Sequence, residues 1–81
     1  MRVRLLPSAQ NDYNALPVRL KRAVDKQLGF LLRDIPYPSL RAKKYDETND
    51  IWQARVNDDY RFYFRIASDE YRILRIIPHP K

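Results

Sequence analysis

The segment IWQARVNDDYRFYFRIASDEYRILRII (residues 51–77) decides the fold, because apolar side chains recur in it at nearly every second position. Alternation with a period of two is typical of β-strands that bury one face. Three such runs lie at 51–56, 60–66 and 71–77, separated by the short polar links NDD and ASDE. The pattern predicts two consecutive hairpins, and so a three-stranded antiparallel meander.

The apolar positions also predict how these strands pair. With a three-residue turn at 57–59, Ala54 lies opposite Phe62 and Trp52 lies opposite Phe64, so the apolar side chains share one face. A register shifted by one residue would break this agreement. In the second hairpin the same reasoning predicts four pairs: Phe64 with Leu74, Phe62 with Ile76, Tyr63 with Arg75, and Asp59 with His79.

The sequence before the meander predicts one strand and two helices. RVRLL (2–6) has the pattern of a short strand that Pro7 ends, and Ser8 is a suitable N-cap for a first helix. A second helix opens at Pro17 and carries an apolar stripe at spacings of three and four residues. Residues 33–50 contain two prolines and are expected to form an irregular connection.

Together these elements predict an α+β fold: an N-terminal strand, a helical hairpin and a three-strand antiparallel meander. Both helices are expected on one face of the sheet, because the other face of the meander is polar. A chain of 81 residues supports one domain, residues 1–81.

Composition excludes several classes of site. The chain has no cysteine and one histidine, so no disulfide, no zinc site and no other metal or cofactor is expected. A single glycine excludes a glycine-rich phosphate loop. The apolar runs are too short for a membrane span, and the start lacks the apolar region of a signal peptide. We therefore expect a soluble, cytoplasmic protein without a membrane partner.

Charge points to an anionic partner. The formal net charge is +6, and 11 of the 16 basic residues are arginine, whose planar fork matches phosphate oxygens. In the predicted register Arg55 lies directly opposite Arg61, which is destabilising unless an anion or an acid lies between them. The face without helices carries Arg55, Arg61, Tyr63, Arg65 and Arg75, with Asp59 and His79 at one end. This face predicts contact with a phosphate backbone; the alternative is a solvated face whose arginines pair with nearby acids.

The segment LRAKKYDETNDIWQARVNDDYRFYFRIASDEYRILRIIPHPK (residues 40–81) resembles the RelE/ParE superfamily of bacterial toxins. The marks are a lysine-bearing loop, then IW-aRV--DYRf-F-i, then iL-I-pH; LPVRLKRAVDKQLGFLL is similar to the second helix of that family. The resemblance implies the fold derived above and a cognate antitoxin protein as partner. Many members are ribosome-dependent, metal-independent endoribonucleases that cut mRNA in the ribosomal A site and so inhibit translation.

The resemblance also implies site residues. YafQ-like members of the nuclease branch use a histidine near the C-terminus with an arginine four residues before it, and His79 and Arg75 stand in that relation. An Asp–aromatic pair matches Asp59 and Tyr60, and Arg61 stands where RelE-like members contact phosphate. Arg61 and Arg75 would then hold the scissile phosphate, His79 would be the general acid or base, and Asp59 would orient its imidazole. RNA-binding roles are expected for Arg55, Tyr63, Arg65, Lys43 and Lys44.

The chain departs from the nuclease pattern in two respects. The histidines that YafQ-like proteins place in the loop and second strand are absent, and Arg55 stands where one is expected. A C-terminal tyrosine used by some members has no counterpart. Two alternatives remain: a ParE-like, non-enzymatic inhibitor of DNA gyrase, and an inactive relative that only binds its antitoxin. His79, Arg75 and Arg61 together favour the nuclease.

Overall fold

The fold is a five-stranded sheet with two α-helices, as seen in a computed structural model that describes residues 1–80. Within this range the sheet order is β1-β5-β4-β3-β2; β1 is parallel to β5 and every other pair is antiparallel. The elements are β1 (Arg2–Leu5), α1 (Pro7–Asn14), α2 (Val18–Arg33), a 3-10 turn (Pro38–Leu40), β2 (Lys43–Asp46), β3 (Ile51–Arg55), β4 (Tyr60–Ile66) and β5 (Glu70–Pro78). The predicted α+β class is confirmed.

The core lies between the helices and one face of the sheet. Leu31 of α2 and the aromatic pair Phe62 and Phe64 of β4 are fully buried. Burying a side chain of this size contributes about 1.5–3 kcal/mol each, so a few such residues account for much of the driving force in a domain this small. The apolar stripe of α2 packs inward as predicted, with Val24 and Leu28 also buried.

The predicted register of β3 and β4 is confirmed. Trp52 pairs with Phe64, Ala54 with Phe62, and Arg55 with Arg61. The agreement follows from strict alternation in both strands, since a register shifted by one residue would bury charge.

The predicted register of β4 and β5 is correct at one end and wrong at the other. Tyr63 pairs with Arg75 as expected, but Phe64 pairs with Ile73 rather than with Leu74, because the register shifts between Tyr63 and Phe64. Ile73 and Ile76 are both buried although two residues separate them. Regular alternation cannot place both on one face, and the bulge at this point does.

Two local predictions were wrong. Ser8 is not an N-cap: α1 begins at Pro7, Leu6 occupies the cap position, and no side chain caps the helix. Proline is favoured in the first turn because it has no N–H to satisfy. The connection at 33–50 is not irregular throughout, since it contains the 3-10 turn and strand β2. β2 was missed because it lies at the sheet edge, where lysines and other polar residues replace the apolar alternation of an inner strand.

Candidate nucleic-acid interface

The turn between β3 and β4 brings two arginines together. Oδ1 of Asn57 accepts hydrogen bonds from the backbone N–H groups of Asp59 and Tyr60, each at 2.8 Å. Side-chain bonds of this kind stabilise tight turns, and here the turn places Arg55 directly opposite Arg61. The geometry is that of a cationic pair at the end of a hairpin.

The two arginines are held differently. Arg61 Nη1 donates to the backbone carbonyls of Asn57 at 2.6 Å and Tyr60 at 3.0 Å. Arg55 Nη2 forms an ion pair with the exposed Asp58. Within residues 1–80 no carboxylate forms a salt bridge with Arg61, so its position is fixed while its charge is not neutralised there.

His79 joins this pair from the end of β5. Its backbone N–H donates to the carbonyl of Asp59 at 2.7 Å, which extends the β4–β5 ladder by one step. Nδ1 of the imidazole is buried and has no hydrogen-bond partner in the described part of the chain. Nε2 is therefore the ring nitrogen that can face a ligand.

These groups line a concave site of about 200 Å³ that we call the basic pocket. Its lining residues include four cations and one histidine but no carboxylate; they are Arg41, Lys43, Gln53, Ala54, Arg55, Arg61 and His79. A site with this charge and without acidic residues is suited to an anion, and the guanidinium groups are suited to phosphate. In the described chain no group of three or more His, Cys, Asp or Glu could hold a metal ion.

A second, larger cavity of about 490 Å³ adjoins the basic pocket and shares Arg41 and Arg55 with it. Gln27 of α2 forms part of its wall and is buried. The Gln27 Nε2 group donates to the carbonyl of Ser39 at 3.0 Å and to that of Arg55 at 2.7 Å. This amide ties α2 to the end of β3, and so it helps to position Arg55.

Arg75 lies outside the basic pocket. Its Nε and Nη2 donate to the two carboxylate oxygens of Asp12 in α1, at 2.7 and 3.2 Å. Asp12 Oδ2 also accepts from the backbone N–H of Ile76 at 2.9 Å. The arginine that the sequence assigned to the scissile phosphate is thus bound to an acid of the first helix.

The other predicted residues divide between the two faces of the sheet. Lys43 and Lys44 lie in strand β2, not in a loop, and successive residues of a strand point to opposite faces. Lys43 lines the basic pocket, whereas Lys44 lies over the Trp52 ring and pairs with Asp50. Lys44 is therefore separated from the pocket by the sheet itself.

The remaining three do not line the pocket. The Tyr63 hydroxyl accepts from Gln53 Nε2 at 2.9 Å, so it is linked to the pocket through that amide. Arg65 is further along β4 and donates to the carbonyl of Asn49 at 3.1 Å. Asp59 contacts His79 through its backbone carbonyl, and no hydrogen bond reaches the imidazole Nδ1 from any described residue.

Two polar lining residues, Arg41 and Gln53, were not predicted from the sequence. Arg41 adopts a left-handed conformation, with φ of 47°, directly after the 3-10 turn, and this places it beside the pocket. The cationic run RAKK at 41–44 contained a signal for it. Gln53 pairs with Tyr63 and follows from the predicted register, because it occupies the polar face between Ile51 and Arg55.

Solved structures of toxin proteins have the same architecture. The RelBE2 toxin–antitoxin complex of Mycobacterium tuberculosis aligns at 27% identity with a TM-score of 0.75, over 96% of each chain. The YoeB/ParE toxin of Agrobacterium tumefaciens aligns at 16% identity with a TM-score of 0.80, over 99% of this chain and 100% of that one. YafQ of Escherichia coli aligns at 12% identity with a TM-score of 0.79, over 95% and 91%.

This chain has the RelE/ParE toxin fold. The resemblance seen in its sequence is confirmed by these neighbours, which extend over nearly its whole length. No protein-family model and no curated protein matches the sequence. Among residues 1–80, neither helix is long and apolar enough to cross a membrane.

Proposed function

We propose that this RelE/ParE-fold chain is the toxin of a type II toxin–antitoxin system and cleaves mRNA in the ribosomal A site without a metal ion. The observation that carries the proposal is the basic pocket, where four cations and His79 meet with no carboxylate among the lining residues. Similarity in fold to RelE, YoeB and YafQ toxins supports the same reading.

The reaction needs no nucleophile from the protein, because RNA carries one. The 2′-oxygen attacks the neighbouring phosphorus and the bond from phosphorus to the 5′-oxygen breaks, giving a 2′,3′-cyclic phosphate and a 5′-hydroxyl. One proton leaves the 2′-hydroxyl and one reaches the departing 5′-oxygen. The catalyst must move these protons and stabilise the charge that develops on the phosphate.

The pocket residues match these tasks. Arg61, oriented by two backbone carbonyls, would hold the scissile phosphate, and Lys43 and Arg41 would add positive charge. His79 would transfer one proton through Nε2, with water serving the other step. We do not assign Arg75 to the phosphate, because Asp12 already binds its guanidinium.

The partners follow from the same surface. An antitoxin would silence the protein by covering the basic pocket with an acidic segment, which complements its charge. The neighbour from M. tuberculosis was solved as a toxin–antitoxin complex. A ribosome carrying mRNA would present the substrate strand.

Primer extension on a reporter mRNA tests the proposal. A reconstituted translation mixture receives wild-type protein, His79→Ala, or Arg33→Ala, which is an exposed control at the end of α2. With wild type and with Arg33→Ala we expect discrete cuts that depend on translation. With His79→Ala we expect the same cuts to be much weaker. Cuts undiminished in His79→Ala would move the proton transfer to another group.

One observation favours a second candidate, inhibition of DNA gyrase without catalysis. The Asp12–Arg75 pair leaves the predicted His79–Arg75 constellation incomplete. A gyrase inhibitor would leave the mRNA uncut. It would instead cause DNA breaks and growth arrest, and both would persist in His79→Ala. The primer-extension experiment distinguishes the two.

A further inference from the structure

Three arginines lie directly opposite one another on three neighbouring strands, at the end of the sheet away from the basic pocket. Arg4 of β1 pairs with Arg72 of β5, and Arg72 pairs with Arg65 of β4. We call this set the arginine row. Like charges in direct cross-strand pairs are destabilising, so the row requires negative charge from elsewhere.

One buried carboxylate provides part of that charge. Glu70, whose side chain is 5% exposed, accepts a hydrogen bond from Arg72 Nε at 2.8 Å. Its oxygens also lie 3.3 Å from Arg4 Nε and 3.4 Å from Arg2 Nε. The hydrogen bond from Arg72 and the charges of Arg4 and Arg2 hold the pKa of Glu70 below its ordinary value, despite the opposing effect of burial. Glu70 is therefore ionised at neutral pH and orients three guanidinium groups.

The cations outnumber the acids at this position. Arg2, Arg4 and Arg72 lie beside Glu70, and Asp69 contacts Arg2 at 3.7 Å. Arg65 lies near Asp46, where the hydrogen bonds from Asn49 lower the pKa of that carboxyl and the charge of Arg65 adds to this effect. The side chains of Arg4 and Arg72 remain 56% and 47% exposed, so they are open to a ligand while Glu70 fixes their positions. The four arginines thus meet three carboxylates, those of Glu70, Asp69 and Asp46, so this end of the sheet keeps a net positive charge.

An apolar groove separates the row from the basic pocket. It has a volume of about 220 Å³ and contains Tyr45 and Tyr63, whose rings meet edge to face with centroids 4.9 Å apart. Along β4 the groove lies between Arg61 and Arg65, which are four residues, or about 13 Å, apart. Proteins bind single-stranded nucleic acids on surfaces of this kind, where cations contact the phosphates and aromatic rings stack on the bases.

We propose that the arginine row is a second phosphate-binding surface and that one RNA strand crosses the sheet from the basic pocket, over Tyr63, to Arg65 and Arg72. This inference rests on the proposed function and deepens it, since it gives the path of the substrate beyond the scissile phosphate. Charge complementarity selects a polyanion. The aromatic groove between the cations favours a nucleic acid over an acidic peptide, which has no bases to stack.

Binding of short RNAs tests the path. Fluorescence anisotropy at low ionic strength measures the affinity for 2′-O-methyl RNA of three and of nine nucleotides, which cannot be cleaved because the 2′-oxygen is blocked. Arg65→Gln and Arg72→Gln are compared with Arg19→Gln, an exposed change of equal charge on α2. Arg65 does not contact Glu70 in any ion pair of residues 1–80, so Arg65→Gln remains informative even if Arg72→Gln impairs folding.

We expect both row variants to weaken binding of the nine-nucleotide RNA by about tenfold and to leave the three-nucleotide RNA unaffected. The slope of log affinity against log salt should fall by about 0.7 per lost phosphate contact, and Arg19→Gln should change neither quantity. Arg61→Gln should weaken both RNAs.

Unchanged binding of the nine-nucleotide RNA by the row variants, with Arg61→Gln still weakening both RNAs, would overturn the path and leave the proposed function standing. If wild type binds neither RNA, the path fails, whereas the proposed function, in which the ribosome presents the strand, is decided by the primer-extension experiment. Loss of affinity for an oligoglutamate peptide, but not for RNA, would assign the row to an acidic protein and also overturn the inference.

Discussion

Arg75 of β5 and Asp12 of α1 form a two-point ion pair, with Nε to Oδ2 at 2.7 Å and Nη2 to Oδ1 at 3.2 Å. The same carboxylate accepts the N–H of Ile76, so one acid satisfies a cation and a backbone group of β5. The contact joins the first helix to the last strand. It also removes Arg75 from the cations available to a phosphate in the basic pocket.

Asp12→Asn should lower the free energy of unfolding by about 1 kcal/mol, because the asparagine keeps one acceptor oxygen but loses the charge that binds Arg75. Urea denaturation at neutral pH measures this difference. Asp34→Asn, an exposed change of equal charge after α2, is the control and should be close to wild type. Equal stability of all three proteins would show that the pair contributes nothing.

The Asp12→Asn substitution should also change how the free energy of unfolding depends on pH. Burial alone would raise the pKa of Asp12, but the hydrogen bonds from Arg75 and Ile76 and the charge of Arg75 outweigh it, so the pKa lies below the ordinary 3.8. A carboxyl whose pKa is lowered by folding stabilises the protein above its unfolded-state pKa and loses this effect as pH falls through the folded value.

The difference in stability between wild type and Asp12→Asn should therefore be constant above about pH 5 and shrink below about pH 4. Denaturation curves from pH 7 to pH 3 provide the test. A difference that persists undiminished at the acidic end would contradict the pairing.

The fold could be predicted largely from alternation, and the exceptions have physical causes. The register of β3 and β4 followed from strict alternation in both strands. β2 could not be found in this way, because an edge strand exposes polar side chains that leave no apolar pattern. The bulge beside Leu74 follows from the need to bury both Ile73 and Ile76, which became evident only with the structure.

The candidate site was predictable where it depends on the hairpin and not where it depends on tertiary packing. Arg55, Arg61 and His79 come together because a single register and its backbone extension place them. The pairing of Arg75 with Asp12 connects residues 63 positions apart, and it depends on where α1 packs against β5. No local pattern in the sequence contains that information.

Gln27 is predicted to be a structural support of the site. Gln27→Leu keeps the side-chain size but leaves the carbonyls of Ser39 and Arg55 without their donor, so we expect a loss of about 1–3 kcal/mol in unfolding free energy. Gln10→Leu, at an exposed position of α1, should cost little. Chemical denaturation of both variants decides; a Gln27→Leu protein as stable as wild type would mean that water replaces the amide.

Arg61 should not be replaceable by lysine. Nη1 of Arg61 donates to both carbonyls, which leaves the other guanidinium nitrogens for a phosphate, whereas the ammonium of a lysine has one nitrogen for both tasks. We expect Arg61→Lys to bind the three-nucleotide RNA about tenfold more weakly than wild type, and Arg61→Gln to bind it more weakly still. If Arg61→Lys binds this RNA as tightly as wild type, a positive charge at position 61 is sufficient and the guanidinium geometry is not needed.

The most direct test of the central claim, that the basic pocket cleaves RNA by attack of the 2′-hydroxyl with His79 transferring a proton, is single-turnover cleavage of an mRNA held in the ribosomal A site. We expect a rate about 100- to 10,000-fold lower with His79→Ala than with wild type. Neither protein should cleave when the nucleotide before the scissile bond lacks its 2′-hydroxyl. Equal rates for the two proteins, or cleavage of the 2′-deoxy substrate, would contradict this mechanism.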